Sequence, residues 1–255
     1  MSFDLSNKVA LVTGGARDIG RAVCLELAQN GADIVLNYQS SEAPARETAE
    51  AVQALGRRVL TVRADVTKKL EIERLVQQAL AFGNGRIDIL VNNAGGLVKR
   101  AKLAELTEEL LDEVMRLNFT STLLMCQAVI PHMVKNGGGR VINIASLAAH
   151  NGGGPTTPHY GPAKAAVLNL SRTLTKEFAG QGVNVNSVSP GLIDNQFHKT
   201  FTSPDAFAAQ IAGIPMGRAG RSEEVAGAVA FLASPAASFI AGEVLHVNGG
   251  AYFGQ

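Results

Sequence analysis

Tyr160 and Lys164 stand four residues apart, so on a helix both side chains face the same side. A phenol with its ordinary pKa of about 10 is a poor acid or base at neutral pH. An ammonium fixed beside it favours the phenolate and lowers that pKa. The pair therefore reads as a proton shuttle for a carbonyl or an alcohol. Ser146 ends the apolar run RVINIAS, where a hydroxyl could hydrogen-bond the same oxygen and stabilise the charge developing on it. Taken singly, each signal has a bland reading: a surface pair for Tyr-x-x-x-Lys, a turn former for the serine. A second kind of chemistry is written near the start of the chain. The run KVALVT leads into Thr13-Gly14-Gly15-Ala16-Arg17-Asp18-Ile19-Gly20 and then a helical pattern. Glycines there permit positive φ and close packing, and the free N–H groups of a starting helix attract a pyrophosphate.

These residues need elements to hold them. Seven short runs rich in Val and Ile predict strands at 8–13, 33–38, 58–62, 87–91, 140–145, 183–188 and 243–248. Each of the first four is separated from the next by room for one helix and two short loops. Near-continuous apolar strands imply burial on both faces, hence a parallel sheet with helices on each side. The helical patterns fall at 19–30, closed by Gly31, then at 43–55, 68–82, 107–134, 159–180, 204–212 and 222–233. Thr107 followed by Glu108 and Glu109 reads as an N-cap with acids suited to the helix dipole. The expected fold class is α/β: a single doubly wound domain over 1–255, with a seven-stranded parallel sheet. Segment 191–220 lacks a clear strand and is expected to be a mobile excursion on the substrate side.

Composition narrows the function. Lys+Arg number 23 and Asp+Glu 22, a net charge of +1. That argues against nucleic acid or an anionic membrane as partner, since both call for surplus positive charge. Cys24 and Cys126 are too few for a disulfide framework and read as buried, reduced thiols. No Cys/His/carboxylate cluster has metal-ligand spacing, so no metal is expected. The N-terminal sequence MSFDLSNKVALVTGG has Asp4 and a short apolar run, which is unlike a signal peptide and predicts a cytoplasmic protein.

The glycine turn resembles the Thr-Gly-x-x-x-Gly-Ile-Gly of the short-chain dehydrogenase/reductase family. Asn92-Asn93-Ala94-Gly95, Asn118, Ser146, Tyr160-x-x-x-Lys164 and Pro190-Gly191 follow in that family's order. The resemblance covers essentially the whole chain and implies a Rossmann-type oxidoreductase with catalytic Asn118, Ser146, Tyr160 and Lys164. It implies that Lys164 also holds the nicotinamide ribose and that Asn118 binds a water linking Lys164 to solvent. Cofactor contacts are implied for Gly14, Ile19, Asp65, Val66, Asn92, Ala94, Gly95, Pro190, Gly191, Ile193 and Asn195. Asn195 stands where relatives often have Thr. Asp18 replaces the usual middle glycine; as an N-cap it could satisfy N–H groups of its own helix, and its carboxylate is expected to point away from the phosphates.

An NAD-specific turn places an acid on the ribose 2′-OH some 20 residues past the glycines. Here the second strand ends Leu36-Asn37-Tyr38-Gln39-Ser40-Ser41, without a carboxylate. Asp33 lies at the strand's other end. Arg17 is placed to reach a 2′-phosphate, with Tyr38 and Ser40 beside it, so NADP(H) is preferred over NAD(H). The substrate is a small-molecule carbonyl or alcohol. The first expectation is a 3-oxoacyl-acyl-carrier-protein reductase type. Alternatives are a sugar- or uronate-derived ketone or polyol and, outside enzymes, a dinucleotide-binding regulator. Lys99, Arg100 and His150 could receive an anion, and His159 is given no role. The segment from Ala226 to Gly250 resembles the family's subunit interface, implying a homotetramer.

Overall fold

The computed structural model describes residues 3–254. Seven strands form one wholly parallel sheet: β1 (Val9–Val12), β2 (Asp33–Tyr38), β3 (Val59–Arg63), β4 (Ile89–Asn92), β5 (Gly139–Ile144), β6 (Val183–Pro190) and β7 (Val244–Val247). Their spatial order is β3-β2-β1-β4-β5-β6-β7. The chain reverses its direction of growth between β1 and β4, which leaves a crevice at their carboxyl ends. Parallel register holds throughout, with Val9 opposite Asp33 and Asn92 opposite Asn143.

One face is covered by α1 (Asp18–Gln29), α2 (Glu42–Ala54) and α10 (Ser222–Ala233); α3 (Lys69–Phe82), α5 (Ser121–Lys135) and α7 (Tyr160–Phe178) cover the other. Alternation within β1 sends Ala10 and Val12 into the first core and Val9 and Leu11 into the second. Both sides are packed, so the central strands β1 and β4 are buried along their whole length, while β6 buries Asn184 and Asn186 and the edge strand β3 exposes Thr61 and Arg63.

Two features depart from expectation. The helix foreseen over 107–134 is interrupted: α4 (Glu108–Met115) passes through a π-turn, Arg116–Thr120, into α5. Thr107 does cap it, accepting from the Leu110 N–H at 3.3 Å. Within the 191–220 excursion the helix expected over 204–212 forms as α9 (Pro204–Ala212), and an unforeseen short helix, α8 (Gln196–Phe201), precedes it. A short α6 (Ala148–Asn151) follows β5.

Candidate active site

A cleft of about 480 Å³ runs across the carboxyl ends of the central strands. At one end is the turn between β1 and α1. Gly14 there has φ +63°, and its carbonyl and that of Thr13 each accept from Asn93 Nδ2 at 3.0 Å. Thr13 Oγ1 in turn accepts from the N–H groups of Asn93 and Ala94 at 3.0 Å. The glycine turn is thus sewn to the loop after β4 by side chain–backbone bonds. Asn92 is a correction. Its side chain is not on the cleft but buried under the sheet, where Nδ2 meets Asn143 Oδ1 at 2.8 Å. Strand alternation sends it to the side of Leu90, and Asn93 takes the place expected for it.

Gly14, Arg17, Asp18, Ile19, Tyr38, Ser40, Asp65, Val66, Ala94, Gly95, Pro190, Gly191, Ile193 and Asn195 all line the cleft. Asp65 also accepts from Thr67 N–H and Oγ1, and these bonds hold its carboxyl below the ordinary range despite partial burial. Asn195 spends its Oδ1 capping α8, accepting from the His198 N–H at 3.4 Å. Asp33 is far from this end of β2 and pairs with Arg57 and Arg58 at 2.8 and 2.7 Å.

Asp18 does not cap its own helix. It opens α1 with φ +51°, and its Oδ1 accepts from the Gln196 N–H at 3.1 Å, across the cleft. A left-handed backbone turns the carboxylate toward the excursion rather than back on α1. Its Oδ2 lies 3.8 Å from Arg17 Nε.

At the other end Ser146, Tyr160 and Lys164 share one wall. Ser146 follows β5, while Tyr160 and Lys164 project from the first turn of α7. Pro162 falls within that turn, where its missing N–H costs nothing. Lys164 is buried, and its Nζ donates to the Ile144 carbonyl at 2.9 Å. Burial pulls its pKa down to about 8. Tyr160 moves the other way from the sequence expectation: burial pushes its phenol up to about 12, and the Ser146 hydroxyl pulls it back only in part. Desolvation is thus the larger influence on this phenol, and the Ser146 hydroxyl the one that opposes it.

Asn118 is not on the cleft wall but directly behind it. Its Nδ2 donates to Gly96 O at 2.8 Å and to Val114 O at 2.9 Å, and its Oδ1 accepts from the Gly96 N–H at 3.0 Å. The carbonyl of Val114 is reachable because the π-turn widens the helix there. A Cβ on Gly95 would come within 2.7 Å of Asn118 Oδ1 and 2.9 Å of Lys164 Nζ. Gly95 is therefore the spacer that lets this amide and this ammonium converge.

Sequence reasoning missed His159. It is buried, and its Nε2 bonds the Lys99 carbonyl at 2.9 Å, tying the start of α7 to the loop after β4. Its signal was only its position beside Tyr160. Two proposed anion receivers lie elsewhere: Lys99 is exposed, and His150 packs on His246 and Tyr252 at ring distances of 4.6 and 5.0 Å. Val98, with φ +64°, lines the cleft, and Thr156 at φ +65° faces the same loop through the bond from Ala101 N–H. β-Branched residues in this conformation are strained, and such strain collects at binding sites. Phe197 of α8 stands over Tyr160, ring centroids 6.0 Å apart.

The donor set fits a dinucleotide. A glycine turn opens a helix at the strand switch point, Ala64 and Val66 offer an apolar seat for a flat base, and Lys164 lies farther along the same trough. Among the described residues no three His, Cys, Asp or Glu side chains come together.

Residues 14–252 match a family model described as enoyl-(acyl carrier protein) reductase. A 3-oxoacyl-[acyl-carrier-protein] reductase FabG of Staphylococcus epidermidis is 36% identical over 247 residues, covering 96% of this chain and 99% of that one. A 2-dehydro-3-deoxy-D-gluconate 5-dehydrogenase of Escherichia coli is 39% identical over 253 residues, covering 98% and 97%. The solved structure of an NADH-dependent reductase responsible for alginate metabolism superposes with a TM-score of 0.89 at 36% identity, covering 98% and 99%.

Proposed function

The chain belongs to the short-chain dehydrogenase/reductase family, and on that premise we propose that it reduces a ketone to a secondary alcohol, and the reverse, with NADP(H) preferred over NAD(H). The observation that carries this reading is the convergence of Ser146, Tyr160 and Lys164 on one wall of a cleft whose other end is the glycine turn.

A bound reduced dinucleotide supplies the hydride. Tyr160 gives its phenolic proton to the carbonyl oxygen, and the Ser146 hydroxyl donates a hydrogen bond to that oxygen as charge builds. The Lys164 ammonium then stabilises the phenolate, and Asn118, beside Lys164 at Gly95, is the route by which water returns a proton. In oxidation the same groups run backwards, with Tyr160 as base.

Arg17 at the glycine turn and the absence of an acid after Tyr38 support the 2′-phosphate preference. One solved relative is named as NADH-dependent, so the preference is measured directly, as kcat/KM for NADPH against NADH. On substrate, FabG-named relatives support a 3-oxoacyl thioester. A second reading, a ketone derived from a sugar acid, is favoured by Arg100, which bonds Phe201 on the cleft wall, and a 2-dehydro-3-deoxy-D-gluconate 5-dehydrogenase is among the relatives. On the same family reading we propose a homotetramer of the cytoplasm; no helix among the described residues is long and apolar enough to cross a membrane.

The test follows NADPH oxidation with acetoacetyl thioesters and with keto-uronates. Tyr160→Phe is expected to lower kcat by about 10²- to 10⁴-fold while leaving the fold intact. Turnover unchanged in that variant, or none with any ketone, would refute the reading.

A further inference from the structure

Arg100 lies two residues past Val98, and its guanidinium reaches the backbone of Phe201, which lines the cleft as Val98 does. Nε donates to Phe201 O at 2.7 Å and Nη1 to Pro155 O at 3.0 Å. One cation thus bridges the loop after β4, the glycine-rich loop before α7, and α8. Both acceptors are neutral carbonyls, and among the described residues no carboxylate lies within ion-pair distance. A guanidinium has five N–H donors in a fixed fork, so most of its capacity is unspent. Gly154 lies beside it without crowding: an added Cβ would meet Nη1 at 3.9 Å, an ordinary contact.

His198 lies on the same side, on the cleft wall. Its Nδ1 faces Thr202 Oγ1 at 3.2 Å, and Nε2 has no partner among the described residues. Burial first, and then the nearby Arg100 charge, push its pKa down to about 4, with Asp194 opposing in small part. His198 is therefore a neutral hydrogen-bonding ring at neutral pH. Phe197 and Phe201 flank these groups on α8, their centroids 5.1 Å apart.

We propose that Arg100 and His198 form the far end of the substrate site, Arg100 receiving a carboxylate and His198 a hydroxyl, so that the substrate is a small oxo acid bearing hydroxyls. This rests on the ketone-reductase reading and chooses the sugar-acid class within it. The planar fork matches a carboxylate bidentately, whereas an acyl chain would leave the cation facing apolar atoms.

The test uses calorimetry on the NADP⁺-loaded protein with D-gluconate, and with D-gluconamide as its uncharged counterpart. Wild type is expected to bind the acid at least about tenfold tighter than the amide. Arg100→Gln should bring that ratio close to one, and Arg100→Lys should keep part of it. The ratio separates charge recognition from loosening of α8, which would weaken both ligands alike. A wild-type ratio near one, or a ratio unchanged in Arg100→Gln, overturns the proposal. Tyr160→Phe should keep the ratio while losing turnover. Absence of turnover with every ketone therefore strikes the reductase reading alone, and loss of the ratio strikes the carboxylate site alone.

Discussion

Lys164 is the residue at which function and stability conflict. Its ammonium is buried with one carbonyl for a partner, and burial lowers its pKa from the ordinary 10.5 to about 8. Below about pH 8 the lysine is charged in both folded and unfolded chains, and folding carries the full desolvation penalty. Between about pH 8 and 10.5 the unfolded chain binds the proton that the folded one has released, so stability rises with pH across that window. Lys164→Met removes the penalty. Its melting temperature should exceed that of wild type at pH 7, the difference should shrink toward pH 10.5, and activity should be lost at every pH. A variant less stable than wild type at pH 7 would mean the ammonium is better solvated than its burial implies.

Asp18 is the other residue whose charge matters. It sits at positive φ beside the amides expected to hold a pyrophosphate, with Arg17 3.8 Å away. Asn tolerates that backbone and can still accept from the Gln196 N–H. Asp18→Asn should therefore leave the tie to α8 intact, remove a like charge from the phosphates and free Arg17. The expected result is a severalfold lower Kd for NADPH by nucleotide fluorescence, with a smaller change for NADH. An unchanged or higher Kd would show that the carboxylate is already turned clear of the phosphates.

At the scale of elements, a buried polar chain locks the site's supports together. Cys126 Sγ, Asn92, Asn143, Ser171 and Ser187 are linked in sequence at 3.4, 2.8, 2.8 and 2.9 Å. They join α5, β4, β5, α7 and β6. Four of these elements carry site residues at their ends: the loop after β4, Ser146 after β5, Tyr160 on α7, and Pro190 with Gly191 at the end of β6. Asn143→Leu keeps the bulk but leaves the Asn92 amide and the Ser171 hydroxyl short of partners in a dry core. A loss of about 2–4 kcal/mol is expected from unmet buried polar groups, read as a lower denaturant midpoint with unchanged slope. Less than about 0.5 kcal/mol would mean the chain is ornamental to the fold.

The elements also show what could be read in advance. All seven strands were legible because each keeps a short Val- or Ile-rich run, continuous in the buried central strands β1 and β4 and broken by polar residues in β3 and β6. The π-turn was not, since one extra residue per turn barely shifts the apolar spacing between Val114 and Met125. Nor was α8: QFHKTF is too short to show a period, and its stability comes from Asn195 capping it and from Asp18 and Arg100 holding it. The exchange of Asn92 for Asn93 was readable from strand alternation with Leu90, but motif order overrode it. The upward push of burial on the phenol was not readable, because spacing reports which charges are near and not how much water is missing.

For the whole molecule, the sheet brings distant segments to one crevice: the turn near residue 14, the loop near 94, the helix start near 160 and the loop near 191 meet because β1, β4, β5 and β6 are neighbours. The outer surface tells of a different contact. Phe239, in the turn before β7, is 102% exposed, within the segment expected to form a subunit interface. Fully burying such a side chain is worth about 1.5–3 kcal/mol, so an interface that covered this ring would gain from it. Light scattering should give four times the 26.7 kDa chain mass, and Phe239→Asp should shift the population to smaller species while NADPH still binds. A wild-type monomer at working concentration would leave this ring without a partner of its own kind and would remove the tetramer from the reading.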